Sequence, residues 1–322
     1  MTDYRMPEDA HDVIVVGGGP GGFTAGLYAA RAGLKVLVVE GASTVSQISL
    51  SEHVENYPGF PEGIGGFDLV ERFRNQAAKF GAKIAQAEVT SLGKCDLAGV
   101  EGWEVTTGDK RRRALAVVVA TGTSWRKLGV PGEERFVGRG ISYCATCDAP
   151  FFKDKNVAVV GGGDAAAQEA VYLTNFAKKV TLIHRRDRLR AAGVLKERCL
   201  SSRKMEFAWN SVVEEIKGDD SVTAVVIRDV NDPGKKRELP VDGVFLFIGL
   251  DPNTAFLRGV VELDRDGYVV TDPRMNTSAK GIFACGDCRN TPLRQVVTAC
   301  GDGAIAGVAA QHYVEGLKGE AY

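Results

Sequence analysis

One motif occurs twice in this chain, and that repetition limits its fold more than any other feature. Val13-Ile14-Val15-Val16 is a short unbroken apolar run. It is followed by Gly17-Gly18-Gly19-Pro20-Gly21-Gly22, an alanine-rich stretch through Arg31, Gly33, and a second run from Lys35 to Val39 that ends in Glu40. A short apolar run bounded by glycine reads as a strand buried on both faces of a parallel sheet. The order is strand, glycine turn, helix, strand, with an acid about 20 residues beyond the glycines. The same order returns at Val157-Ala158-Val159-Val160, Gly161-Gly162-Gly163-Asp164-Ala165-Ala166, a helix to about Phe176, and Val180-Thr181-Leu182-Ile183. Gly17 and Gly161 are 144 residues apart, and the position 144 residues after Glu40 is His184, followed by Arg185 and Arg186.

Each part of the motif has a chemical reason. Gly17 permits the tight turn, Gly19 lets a pyrophosphate approach the backbone, and Gly22 lets helix and strand pack closely. Gly161 and Gly163, with Asp164 and Ala165 after them, occupy the matching places in the second unit. Each helix start presents free N–H groups and a partial positive charge to phosphate. Glu40 suits a bare ribose and repels a 2′-phosphate. His184, Arg185 and Arg186, with Arg190 nearby, suit a 2′-phosphate through charge-assisted bonds. The first unit is therefore expected to hold FAD or NAD, and the second NADPH. Ala116 to Ala120, ending at Thr121-Gly122, and Val244 to Ile248, ending at Gly249, read as the last strands of the two units. The stretch from about Val89 to Lys110 reads as a small β-meander cover.

Seven cysteines include two close pairs, Cys144/Cys147 and Cys285/Cys288. The first, Cys144-Ala145-Thr146-Cys147-Asp148, lies just before the second glycine turn. Two small intervening residues let the sulfurs meet, and a helix start there would favour thiolate. Asp148 is a candidate proton donor or acceptor for the dithiol. The alternative for these four cysteines is a structural zinc site in a nucleotide-binding module that is not an enzyme. Zinc near one equivalent and no yellow chromophore would support it.

Composition sets the outer bounds. Hydrophobic residues are 44% and charged residues 25%, and the formal net charge is -1. That balance gives no reason to invoke nucleic acid or a membrane surface. No apolar run approaches the roughly 20 residues of a spanning helix. The acidic N-terminus lacks a signal-peptide core, so the expectation is a cytoplasmic protein.

Taken together, these residues resemble the low-molecular-weight bacterial-type thioredoxin reductases, from Val13 to about Tyr313. The motifs that carry the resemblance are Gly17 to Gly22, Val54-Glu55-Asn56-Tyr57-Pro58-Gly59, Ala120-Thr121-Gly122, Cys144 to Asp148, His184-Arg185-Arg186, Gly281-Ile282-Phe283-Ala284 with Gly286-Asp287, and Arg294-Gln295. The resemblance implies an α/β fold of two Rossmann-like three-layer dinucleotide-binding domains, the second inserted into the first. The FAD domain would span 1–126 and 248–322, and the NADPH domain, carrying the redox pair, 127–247. Asp287 would hydrogen-bond the flavin ribityl chain. Arg294, Gln295 and Val296 would lie at the pyrimidine end of the isoalloxazine, at a helix start. Gln47, Asn56 and Val89 would be further FAD contacts.

The implied activity passes electrons from NADPH through FAD to a Cys144–Cys147 disulfide, and then to thioredoxin by thiol–disulfide exchange. The resemblance also implies a homodimer and hinges near Thr123–Lys127 and Gly249–Asn253. A relative serving another thiol protein, or one driven by ferredoxin, is the alternative within enzymes; the basic cluster at His184 speaks against the second.

The chain departs from the family pattern at Val45-Ser46-Gln47-Ile48-Ser49-Leu50-Ser51, although Gln47 is kept. Leu250 and Asp251 also depart, with no role attached. Cys285, Cys288 and Cys300 are additions near the expected flavin. They read as small buried apolar residues, with an auxiliary dithiol as the alternative. His11, His53 and His312 lack partners at ligand spacing. Lys110-Arg111-Arg112-Arg113 reads as an exposed turn before the Val117 strand. Trp103, Trp125 and Trp209 read as cover or core.

Overall fold

Four consecutive apolar residues cannot face water on either side, so such runs settle in the middle of parallel sheets. In the computed structural model, which describes residues 6–41, 46–51, 54, 56–191 and 193–319, the first run is the strand His11–Val16, with Val13, Ile14 and Val15 fully buried. It lies parallel between Val36–Glu40 and Lys110–Val119. Lys83–Gln86 extends the sheet beyond Val36–Glu40. The second run forms Asn156–Gly161, parallel between Lys179–Ile183 and Gly243–Phe247. Met205–Ala208 and Ile141–Ser142 close the edges of that sheet, both in parallel.

The chain divides into two compact units, Met1–Ser124 with Asp251–Tyr322, and Trp125–Leu250. The second is thus inserted in the sequence of the first, and the chain crosses at 124/125 and 250/251. Each unit has a core on both faces of its sheet. In the first unit, Val13, Val15, Val38 and Val118 pack with Phe23, Ala25, Ala306 and Ala310 of the helices Pro20–Arg31 and Val296–Lys318. Ile14, Val16, Val117 and Val119 meet Leu257, Val261 and Val269 on the other side. In the second unit, Val157 and Val159 pack on the helix Asp164–Leu173 through Ala166, Ala167 and Ala170. Ala158 and Val160 face the antiparallel sheet Ser211–Gly218, Val222–Asp229 and Lys236–Pro240 through Val213, Val225 and Ile227.

The first unit depends on unusually close backbone contacts. Gly17 has φ +120, which L side chains rarely adopt, and a β-carbon there would overlap the Ala120 carbonyl oxygen. A β-carbon at Gly22 would overlap the Gly17 carbonyl, and one at Gly303 the Gly21 carbonyl. A β-carbon at Gly307 would sit 2.7 Å from the Ala25 carbonyl oxygen, and one at Gly21 3.1 Å from that of Ala299. Residues 21 and 25 thus meet 303 and 307 in the same order. The two helices run parallel, with their N-termini at the same end.

Three expectations change. The meander is not a separate cover: Val89–Leu97 and Val100–Thr107 continue the main sheet, antiparallel, from the first half of Lys110–Val119. The second half of that same edge pairs with Ile282–Ala284 in parallel, so Lys110–Val119 is central and not the last strand of its unit. The basic run Lys110 to Arg113 belongs to this strand, not to a turn. Its backbone pairs with Glu104 to Thr107, and Arg113 and Arg111 form ion pairs with Asp9 and Glu104. Four consecutive cations look like a turn in sequence; on a strand edge, with Arg112 and Arg113 half-buried, the carboxylates opposite make them tolerable.

Gly303→Ala should therefore separate the two helices and cost on the order of 2 kcal/mol, several degrees of Tm, because a methyl is forced into a packed contact. Gly316→Ala in the same helix has nothing within 4 Å of the added carbon and should gain roughly 0.5–1 kcal/mol from helix propensity. Thermal melts of the two variants beside wild type check both signs.

Candidate active site

In the first unit, the strand–turn–helix geometry sets the site. Gly19 is the N-cap of Pro20–Arg31 and no side chain caps that turn. A β-carbon at Gly19 would meet only Ser46 Oγ, at 3.4 Å. The first turn thus has no side-chain cap, and its N–H groups suit phosphate oxygens. Glu40, at the end of its strand, lies over Gly18, whose β-carbon would overlap that of Glu40. Arg74, on the helix Gly66–Lys79, pairs with Glu40 at 3.4 Å.

Gln47 donates to the Thr123 carbonyl and, at 3.0 Å, to the Thr123 hydroxyl. Asn56 Nδ2 donates to Gln295 Oε1 at 2.9 Å, across 239 residues of sequence. Gln295 is the N-cap of Val296–Lys318 and forms a capping box with Thr298. The Thr121 side chain lies beside the Cys288 thiol, and its carbonyl accepts from Asn253 at 3.0 Å. Gly122 follows it with φ +63. Val89 begins its strand half-buried.

Asp287 lies on the one-turn segment Gly286–Cys288. Burial pushes its carboxyl up to about 6, opposed by the Arg294 guanidinium and helped by the Asp302 charge. Arg294 reaches the Asp287 carbonyl at 3.4 Å and stacks over Tyr268 at 4.2 Å. Of the three extra thiols, Cys285 and Cys288 are buried and free, and Cys300 is half-buried and free. Burial raises all three, Cys288 to about 11. Such thiols are protonated near neutral pH and behave as small apolar groups.

In the second unit the same turn ends differently. Gly163 is the N-cap of Asp164–Leu173, without a side-chain cap, and a β-carbon there would meet nothing within 4 Å. Asp164 and Ala165 form the exposed first turn. A β-carbon at Gly161 would lie 2.5 Å from the Phe247 carbonyl oxygen, as Gly17 does toward Ala120. His184 takes the place of Glu40: a β-carbon at Gly162 would overlap its ring. His184 is buried, and its Nε2 has no hydrogen-bond partner. Burial first, then the charges of Arg190, Arg185 and Arg186, hold its pKa below the usual value. The positive charge thus comes from the arginines, which are exposed. The Arg190 N–H donates to the Gly162 carbonyl at 2.7 Å, folding this loop over the turn.

Cys144 is disulfide-bonded and is the N-cap of the one-turn helix Ala145–Asp148. The zinc reading needed Cys144 as a thiolate ligand. A single turn carries only a small dipole, so the thiolate-favouring effect is weaker than a full helix would give. The Ser142 hydroxyl fixes the loop, accepting from Cys144 N at 3.0 Å and donating to Cys144 O at 3.1 Å. Asp148 is half-buried, with its N–H on the Cys144 carbonyl at 3.2 Å. The side chain of Cys147, like Val45, His53 and Glu55, lies outside the described residues.

Sequence reasoning named Thr123 and Asn253 only as ends of hinges, and missed Arg74 and the largely buried pair Arg289–Asp302. The last had one signal: an aspartate between glycines, Gly301-Asp302-Gly303, in an otherwise apolar helix.

Two dinucleotide turns and a disulfide beside the second define a class. The model of the family described as pyridine nucleotide-disulphide oxidoreductase matches residues 11–303, and the chain belongs to that family. A thioredoxin reductase of Treponema pallidum (strain Nichols) is 46% identical over 311 residues, 97% of this chain and 99% of that protein. One from Listeria innocua serovar 6a is 47% identical over 312 residues, 97% of this chain and 96% of that one. The crystal structure of thioredoxin reductase from Streptococcus pyogenes MGAS5005 superposes with a TM-score of 0.77 at 42% identity, over 96% of this chain and all of that one.

The Asp287 carboxyl binds its proton more tightly folded than unfolded. Its contribution to stability is therefore present at low pH and lost as pH rises from about 4 through about 6. Asp287→Asn should raise the stability of the cofactor-free protein above pH 6 by on the order of 2 kcal/mol, and leave it unchanged near pH 4. Urea melts at both values check this. An equal gain at both would disprove the burial argument.

Proposed function

We propose that this chain reduces the disulfide of thioredoxin with electrons from NADPH, as an FAD-dependent thioredoxin-disulfide reductase. The observation that carries the reading is the duplicated turn with opposite ends: Glu40 in one unit, and buried His184 with exposed Arg185, Arg186 and Arg190 in the other, the second unit also holding a disulfide at Cys144.

The residues fit both groups. The uncapped turn at Gly19 suits the pyrophosphate of FAD, and the largely buried Asp287 carboxyl suits its polyol chain. Gly17, Pro20 and Gly22 shape that turn, Glu40 receives the adenosine ribose, Gln47 and Asn56 contact the flavin, and Val89 and Gly122 are further FAD contacts. Arg294, Gln295 and Val296 set a helix N-terminus toward the pyrimidine edge. In the second unit Gly161, Gly163, Asp164 and Ala165 receive the NADPH pyrophosphate, and His184, Arg185, Arg186 and Arg190 its 2′-phosphate. When bound, FAD supplies a two-electron relay between a nicotinamide and a disulfide.

Cys144 and Cys147, once reduced, exchange with the substrate disulfide. Asp148 holds or releases the proton that this exchange moves. A homodimer and a cytoplasmic location follow from the resemblance. Among the described residues no helix is long and apolar enough to cross a membrane.

Cys144→Ser should keep FAD and its yellow colour yet lose thioredoxin turnover; turnover retained in that variant would end the reading. Replacing Arg185 and Arg186 by Gln should raise KM for NADPH by about tenfold or more, ~1.4 kcal/mol, and leave KM for NADH nearly unchanged. Steady-state kinetics with both nucleotides separates loss of the 2′-phosphate contact from general damage.

A further inference from the structure

Asp302 lies on Val296–Lys318 among buried neighbours, Gly303 and Ala306. A carboxylate there is costly unless every lone pair is used. Arg289 supplies a fork to it, Nε to Oδ2 at 2.7 Å and Nη2 to Oδ1 at 3.0 Å. Gly286 N donates to the same Oδ2 at 3.2 Å. Arg289 Nη1 goes on to the Thr271 hydroxyl at 3.2 Å and the Asn290 carbonyl at 3.4 Å. Asp302 thus grips the turn Gly286–Cys288 at its first residue and again at the side chain just past its last. Asp287 is the residue held between these grips. Gly286 takes φ +72 without strain because it has no β-carbon.

We propose that Arg289 and Asp302 are a positioning pair, which holds the Gly286–Cys288 turn in shape before FAD arrives and so presents Asp287 to the cofactor. The inference rests on the flavin reading of this turn. The argument for positioning over bulk stability is physical. A buried ion pair adds little net stability over apolar residues of similar size, but it fixes geometry. A bidentate pair anchored at both ends of one turn fixes that turn. Asp12–Lys318, at 2.8 Å in the same unit, offers a comparison: it ties the start of His11–Val16 to the end of the last helix and touches no turn of the site.

The test uses full-length apoprotein titrated with FAD, read by flavin fluorescence, with the Tm of each apoprotein measured in parallel. Asp302→Asn and Arg289→Met should each weaken FAD binding by about tenfold or more, ~1.4 kcal/mol. The Arg289→Met/Asp302→Leu double variant should bind FAD no worse than the weaker single variant, because the two act as one unit. Arg289→Lys, which keeps charge without the fork, should recover only part of the loss. Lys318→Met should lower Tm and leave FAD affinity unchanged. If Asp302→Asn does not fold, the double variant, with no unpaired buried charge, carries the comparison. The inference is overturned if the variants bind FAD as wild type does, or if affinity falls only in step with Tm, as it then would in Lys318→Met. A wild-type apoprotein that takes up no FAD overturns the flavin reading and this inference together. Wild-type binding with unaffected variants overturns the inference alone.

Discussion

The contact on which the first unit depends is that between two parallel helices that meet backbone to backbone at their glycines. Gly303 and Gly307 place the last helix against the carbonyls of Gly21 and Ala25. That distance brings the N-termini of both helices to the same end of the sheet. Two parallel macrodipoles side by side repel each other, and nothing in the first turn of Pro20–Arg31 caps the exposed N–H groups. The packing of the last helix against the first therefore creates a field of one sign, and an anion is the natural thing to complete it. The approach of Gly17 to Ala120 and of Gly22 to Gly17 does the same at shorter range.

Repetition makes the chemistry readable, because the two units differ where their ligands would. Each lays one side chain over the second glycine of its turn. In one unit that side chain is Glu40, paired with Arg74; in the other it is His184, neutralised by burial and backed by three exposed arginines. A carboxylate can accept from ribose hydroxyls and excludes phosphate. A neutral imidazole with guanidiniums around it does the reverse, and its Nε2 has no hydrogen-bond partner among the described residues. Unpartnered atoms alone do not mark a site. His11 Nδ1 and Arg112 Nε are buried without partners too, toward the opposite ends of their strands, where no turn or ligand accounts for them.

How much of this was legible in sequence depends on how local the cause is. The strands at Val13 and Val157, their glycine turns and the following helices were readable, because burial on both faces and the close backbone approach are written within about 30 residues. The continuity of the meander with the main sheet was not. It depends on one long strand sharing an edge between an antiparallel and a parallel partner, one of them more than 160 residues away. The Lys110–Arg113 run misled for the same reason, since the carboxylates opposite it come from other strands and loops. Arg74, Asn253 and Arg289 left no periodic trace at all, because single polar side chains that meet across the fold have no local signature.

The arrangement around Asp287 shows how the demands of a site conflict with those of folding. A carboxyl buried against another carboxylate, with one guanidinium stacked on an aromatic ring for relief, is a poor choice for stability. Arg289 is not available to relieve it, since its fork is taken by Asp302. The structure thus keeps two acids close and spends its best cation on the one that holds the backbone, leaving the other to bear the cost of burial. That division makes sense if the second acid has a partner that arrives later. A polyol chain, with hydroxyls that donate to a carboxylate, would be such a partner under the proposed function, and would satisfy Asp287 without a second buried cation.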